Sequence, residues 1–129
     1  MKKVNNLKIA VIGCGYWGTV IILTLLKLGI KNIVVFDSYK DNLKTIKKRF
    51  PKVTIKESLR YIINDKNISG VVICTPASTH FKLAKKFIKK GKNLFIEKPV
   101  CLDSSEVKKL HKLSSKEKIF IMSGYVYNY

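Results

Sequence analysis

Three glycines within six residues, set between two apolar stretches, restrict this chain more than anything else in it. Residues 9–18 read Ile-Ala-Val-Ile-Gly-Cys-Gly-Tyr-Trp-Gly, so Gly13, Gly15 and Gly18 follow G-x-G-x-x-G spacing directly after a strand-like run. A helix-like apolar stretch comes next. The three glycines play separate roles. Gly13 permits a tight turn, Gly15 lets the backbone approach a pyrophosphate, and Gly18 lets the helix pack close to the strand. The amides and positive dipole end of that helix then face the phosphates. The pattern is a dinucleotide-binding fingerprint in its proper local context.

A second feature supports it. Asp37 ends the next apolar run, Ile33-Val34-Val35-Phe36, about 20 residues on, where an acidic side chain accepts hydrogen bonds from an adenosine ribose. A carboxylate there repels a 2′-phosphate, which points to NAD in preference to NADP. On its own, Asp37 would equally begin the turn Asp37-Ser38-Tyr39-Lys40.

The rest of the chain alternates strand and helix. Strands are expected over residues 7–12, 33–37, 53–55, 71–74, 93–96 and 119–122. Helices are expected over 16–28, 41–50, 58–64, 78–90 and 104–115, with Gly29 ending the first and Asp103 capping the last. The strands are continuous apolar runs, as in a parallel sheet covered on both faces. The expected fold is a doubly wound α/β sheet of the Rossmann type, in order 3-2-1-4-5-6. Gly13 to Gly18, Asp37, residues 74–76, residues 97–99 and Tyr125 would all lie at the carboxyl ends of strands, where such folds bind ligands.

Charge permits another partner. The chain has 129 residues, 26 of them Lys or Arg against 8 acidic, for a net charge of +18. Such a field attracts nucleic acid or acidic proteins. Yet only Arg49 and Arg60 carry the guanidinium preferred for phosphate forks. Lys82, Lys85, Lys86, Lys89 and their like fall at the spacing of solvated helix faces. Nucleic acid is therefore the weaker expectation. The uncharged run 9–26 is broken by the fingerprint glycines, which argues against a signal peptide or a membrane span. Cys14, Cys74 and Cys101 are odd in number and lack metal-ligand spacing, so free thiols in the cytoplasm and no metal site are expected.

Two further motifs sharpen the reading. Cys74-Thr75-Pro76-Ala77-Ser78-Thr79-His80 follows Val71-Val72-Ile73, and Glu97-Lys98-Pro99 follows Leu94-Phe95-Ile96. With the glycine motif and Gly91-Lys92-Asn93 between them, the chain resembles the N-terminal half of the glucose–fructose oxidoreductase/inositol dehydrogenase/MocA family. That resemblance implies NAD(P)-dependent hydride transfer on a sugar, nucleotide sugar or polyol. It implies that Gly13, Gly15, Tyr16, Trp17 and Gly18 cradle the pyrophosphate and that Asp37 holds the ribose. Thr75, Pro76 and His80 would lie beside the cofactor, Glu97 near the nicotinamide, and Lys98 would be the catalytic lysine. The chemistry of such a lysine is independent of the resemblance. Alcohol oxidation releases a proton as well as a hydride; a lysine in water is almost wholly protonated at neutral pH and so supplies little base, and burial or a nearby positive pyridinium ring eases loss of its proton.

The family's second, C-terminal domain supplies most of the substrate pocket, and these 129 residues span only the cofactor half. The expectation is a dinucleotide-binding domain that is incomplete for catalysis alone. Self-association or a partner chain would supply the rest, and the apolar first helix and aromatic tail would offer the surface for it. Two alternatives stand beside this one: a non-catalytic NAD-binding or sensing module, and a basic nucleic-acid-binding protein.

Overall fold

Six short segments form one parallel sheet whose central strands are apolar on both faces, with half-exposed segments at its two edges. The computed structural model describes residues 4–124. Its strands are β1 (Lys8–Ile12), β2 (Asn32–Phe36), β3 (Thr54–Ile55), β4 (Gly70–Ile73), β5 (Asn93–Glu97) and β6 (Ile121–Gly124). They lie in order β3-β2-β1-β4-β5-β6, and every neighbouring pair is parallel. This is the order expected from sequence. The helices are α1 (Tyr16–Lys27), α2 (Lys40–Arg49), α3 (Leu59–Asn64), α4 (His80–Lys89) and α5 (Ser104–Glu117).

Side chains alternate across the sheet, and the two sets build two cores. Ala10, Ile12, Val71, Ile73, Leu94 and Ile96 meet Ile62 of α3, Phe87 of α4 and Leu110 of α5. Val11, Ile33, Val35 and Val72 meet Ile22 of α1 and Ile46 of α2. The fold is therefore wound on both faces. On the α1–α2 side the helices stop short of the sheet's far edge. An apolar groove of about 410 Å³ remains there, bordered by Ile21, Leu25, Phe95, Phe120 and Met122.

Caps set the helix limits. The Ser58 side chain accepts the Arg60 N–H, and Asp103 accepts the Glu106 N–H at 2.9 Å, as the capping rule for Asp103 requires. Gly29 and Gly91 take positive φ just past α1 and α4. Most boundaries fall within one residue of the sequence reading, α5 runs two residues longer, and α4 and β6 start two residues later. Residues 77–79 form a 3-10 turn, so α4 begins at His80. β6 starts two residues later than expected, because Lys118 adopts a left-handed conformation and the Ile119 N–H returns to the Ser114 carbonyl.

At the amino edge, Lys92 is buried and donates to the Asp65 carbonyl, while Lys8 pairs with the Asp65 carboxylate at 2.5 Å. Burial, against the pull of Asp65, lowers the Lys92 ammonium below its ordinary value. The strands consequently point their carboxyl ends toward one rim, with the glycine turn at its centre.

Candidate functional site

The glycine turn is held from three directions. Gly13 sits at φ +87°, and its N–H donates to the Phe36 carbonyl at 2.8 Å. A Cβ at Gly13 would lie 2.8 Å from the Cys74 backbone, and one at Gly18 would lie 1.9 Å from the Gly13 carbonyl oxygen. Those two glycines answer to contacts within the protein. Gly15 does not: a Cβ there meets nothing within 4 Å. Gly15 instead borders a groove of about 570 Å³ that Gly13, Asp37, Thr75 and Pro76 also line.

Behind the turn, the Thr19 hydroxyl donates to the Gly15 carbonyl at 2.7 Å. Tyr16 and Trp17 begin α1, 76% and 51% exposed, with their rings in edge-to-face contact at 5.2 Å. α1 has no acidic residue in its own first turn, so the nearby negative charge is that of Asp37, which accepts the Cys14 N–H just ahead of the helix.

Asp37 is only 8% exposed and closes one side of the groove. Its Oδ2 accepts the Cys14 N–H at 2.9 Å and the Asn42 amide at 3.1 Å, and its Oδ1 accepts the Tyr39 N–H at 2.8 Å. Burial alone would raise this carboxyl, but those bonds outweigh it and hold the group below the usual carboxylate range. Asp37 is thus a fixed anion that ties the glycine turn to the β2–α2 turn. Oδ2 is occupied by Cys14 and Asn42, whereas Oδ1, with one bond, keeps acceptor capacity for a hydroxyl.

The opposite wall follows β4. The Thr79 hydroxyl donates to the Pro76 carbonyl at 2.6 Å, which leaves Thr75 as donor in its 2.6 Å contact with Thr79. Thr75 and Pro76 face the groove. His80 does not. It is 1% exposed and lies behind this wall, with both ring nitrogens against backbone carbonyls.

Glu97 and Lys98 leave the same rim one strand further along. Glu97 Oε2 accepts the Lys98 N–H at 3.3 Å, and the Lys98–Pro99 peptide is cis. Lys98 is exposed and Glu97 half-buried. A Cβ at Gly124 would come within 2.8 Å of Glu97 Oε1, so the bare backbone of β6 makes room for this carboxylate. Burial, and then the Glu97 charge, push the Cys74 thiol up to about 12. Tyr125 lies outside the described residues.

The sequence reading named Gly13, Gly15, Asp37, Thr75 and Pro76, which line this groove, and Tyr16, Trp17, Gly18, Glu97 and Lys98, which are not among its lining residues. It missed Asn42, which anchors Asp37, and Lys82 and Lys86, which line the groove from α4. Their spacing of four residues puts them on one helix face, and that signal was legible, although it was read there as a solvated face. Gly124 had no signal of its own. Among the described residues, no group of three or more His, Cys, Asp or Glu could hold a metal ion, and no helix is long and apolar enough to cross a membrane.

A Gly-rich turn opening a helix, an anchored acid at the end of β2 and a groove across the carboxyl rim define a nicotinamide-dinucleotide-binding domain of the Rossmann class. The family profile described as "Oxidoreductase family, NAD-binding Rossmann fold" matches residues 7–125. The chain belongs to this glucose–fructose oxidoreductase/inositol dehydrogenase/MocA family. It is 31% identical to the uncharacterized oxidoreductase YdgJ of Escherichia coli, over 85% of this chain and 32% of that protein. It is 28% identical to scyllo-inositol 2-dehydrogenase (NADP(+)) IolW of Bacillus subtilis, over 96% of this chain and 34% of that one. Among solved structures, GenD2 from gentamicin A biosynthesis in complex with NAD superposes with a TM-score of 0.83. Identity there is 26%, covering 94% of this chain and 35% of that one. The chain spans about a third of the length of these relatives.

Proposed function

We propose that this domain seats NAD(H) along the carboxyl rim and presents Lys98 to a sugar, nucleotide sugar or polyol whose pocket is completed by the remaining two-thirds of the family's length. The observation that carries the reading is the contrast among the three glycines. Gly13 and Gly18 are explained by the chain's own backbone, whereas the open space over Gly15 leaves its backbone accessible to a ligand that enters the groove.

In this reading the amides at the start of α1 hold the pyrophosphate. Lys82 and Lys86 add positive charge from the opposite wall. Asp37 accepts a ribose hydroxyl at Oδ1 and, as a fixed anion, disfavours a 2′-phosphate, so NAD is preferred over NADP. When bound, the nicotinamide supplies hydride acceptance and return. Lys98 Nζ takes the hydroxyl proton as the alcohol becomes a carbonyl, and gives it back in reduction. Glu97 orders the turn that carries Lys98 through the Lys98 N–H. The three free thiols suit the cytoplasm.

Thermal unfolding with graded NADH, NADPH and free ADP-ribose tests the binding half. A ligand that binds only the folded state raises the midpoint with concentration, by about 2.7 kcal/mol of stability at a hundred times Kd. NADH and ADP-ribose should both do so, and NADPH less. No shift with any of them ends the proposal. Supplying a relative's C-terminal domain in trans then separates an oxidoreductase from a sensing module, since only the first gains polyol-dependent NADH production.

A further inference from the structure

His80 matches a motif in which it was expected to touch the cofactor, yet its ring is 1% exposed and sits behind the groove wall. The ring fills a different role. Its Nε2 lies 2.7 Å from the Thr75 carbonyl oxygen, and its Nδ1 lies 2.8 Å from the Pro99 carbonyl oxygen. Thr75 follows β4 and Pro99 follows β5. The pairing between those strands ends at Ile73 and Ile96. Beyond that pair the two chain segments part, one to line the groove and the other to form the turn with Lys98. The imidazole is wedged between them where the sheet no longer joins them.

We propose that His80 is a positioning residue, a doubly hydrogen-bonded clamp that fixes the Lys98–Pro99 turn against the Thr75–Pro76 wall of the groove. Carbonyl oxygens only accept, so each of these bonds requires hydrogen on the ring nitrogen that faces it. A neutral ring would leave one nitrogen lone pair aimed at a carbonyl lone pair within 2.8 Å. With hydrogen on both nitrogens, the ring makes two charge-assisted bonds, which are shorter and stronger than neutral ones. The backbone carbonyls of Thr75 and Pro99, rather than a carboxylate, are the partners. The clamp thus reads backbone position, and it sets how far the Lys98 turn stands from the groove. That Lys98 serves a reaction rests on the function proposed above; the clamp itself does not.

The chain has two histidines, His80 and the exposed His111, so nitrogen-15 NMR of the unliganded protein at pH 6 can separate them. The expected spectrum shows one histidine with two ring N–H protons protected from exchange with water, lost in His80→Gln and kept in His111→Gln. A protected proton on only one ring nitrogen of His80, or on neither, overturns the clamp. Amide exchange of His80→Gln gives the positional readout. Exchange should rise about tenfold or more at residues 75–79 and 97–100, while β1 and β2 keep their protection. Unchanged exchange at 97–100 overturns the proposal, as does a uniform rise across the sheet. If His80→Gln does not fold, the wild-type spectrum decides alone. Neither measurement uses a dinucleotide, so failure of NADH to bind and failure of the clamp remain distinct results.

Discussion

The Cys14 N–H donates to the Asp37 carboxylate at 2.9 Å, across 23 residues of sequence. One bond therefore joins the turn that would hold a pyrophosphate to the acid that would hold a ribose. The spacing between the two subsites is set before any ligand arrives, which lowers the ordering cost of binding.

Asp37→Asn keeps the shape and removes the charge. Charged hydrogen bonds are worth about 1.5–3 kcal/mol, so a stability loss of about 1–3 kcal/mol is expected in urea unfolding. With the fixed anion gone, the NADPH affinity relative to NADH should rise about fivefold or more in paired titrations. An unchanged ratio would remove Asp37 from cofactor selection.

The same acid sets a pH dependence. Its folded-state value lies below the ordinary one, which for an unfolded Asp is about 3.9. The stabilisation is therefore complete above about pH 4 and is lost as pH falls through the folded value. Between about pH 4 and pH 2, the wild-type urea midpoint should fall more steeply than that of Asp37→Asn. Parallel curves would contradict the anchored carboxylate.

Gly15→Ala and Gly18→Ala should fail in opposite ways. The Gly18 variant forces a Cβ to 1.9 Å from the Gly13 carbonyl oxygen, so it should lose about 3 kcal/mol or more of stability, or not fold. The Gly15 variant has open space and an extended backbone. Its unfolding midpoint should stay close to that of wild type while NADH affinity drops about tenfold or more, roughly 1.4 kcal/mol. A Gly15→Ala protein that binds NADH normally would show that nothing presses on that backbone.

The thiols should be inert in the native state. Burial, then the Asp37 charge, push Cys14 up to about 12; burial and Glu97 do the same to Cys74; burial, Glu106 and Asp103 push Cys101 up to about 11. The thiolate is the reacting form. Iodoacetamide at pH 8 should therefore label the folded chain about a hundredfold more slowly than the urea-unfolded chain. Fast labelling of Cys74 would show that its side of the groove is open.

Much of this was legible in the residues, for identifiable reasons. The parallel sheet covered on both faces followed from runs such as Val71-Val72-Ile73, and its strand order from the fold class that the glycine fingerprint marks. The glycine turn was legible because Gly13 and Gly18 obey steric limits that local sequence records. His80 was misplaced because a motif spacing gives position along the chain but no depth: one turn of helix points a ring at the groove or behind it. The Asp37 anchors were hidden for a related reason. The Cys14 N–H meets Asp37 only once the β1 and β2 ends lie side by side, and Asn42 only once the turn into α2 folds back. The delayed start of β6 depended on the backbone choice of Lys118, a residue with no strong preference for the left-handed region.

Energy transfer from Trp17 to bound NADH tests the central claim most directly. Trp17 is the chain's one tryptophan and stands half-exposed at the first turn of α1, beside the glycine turn. NADH in the groove should quench its emission saturably and gain sensitised emission of its own, with NAD competing and Gly15→Ala shifting the titration to about tenfold higher NADH or beyond. No saturable transfer from Trp17, with a folded protein confirmed in the same sample, would contradict dinucleotide binding at this rim.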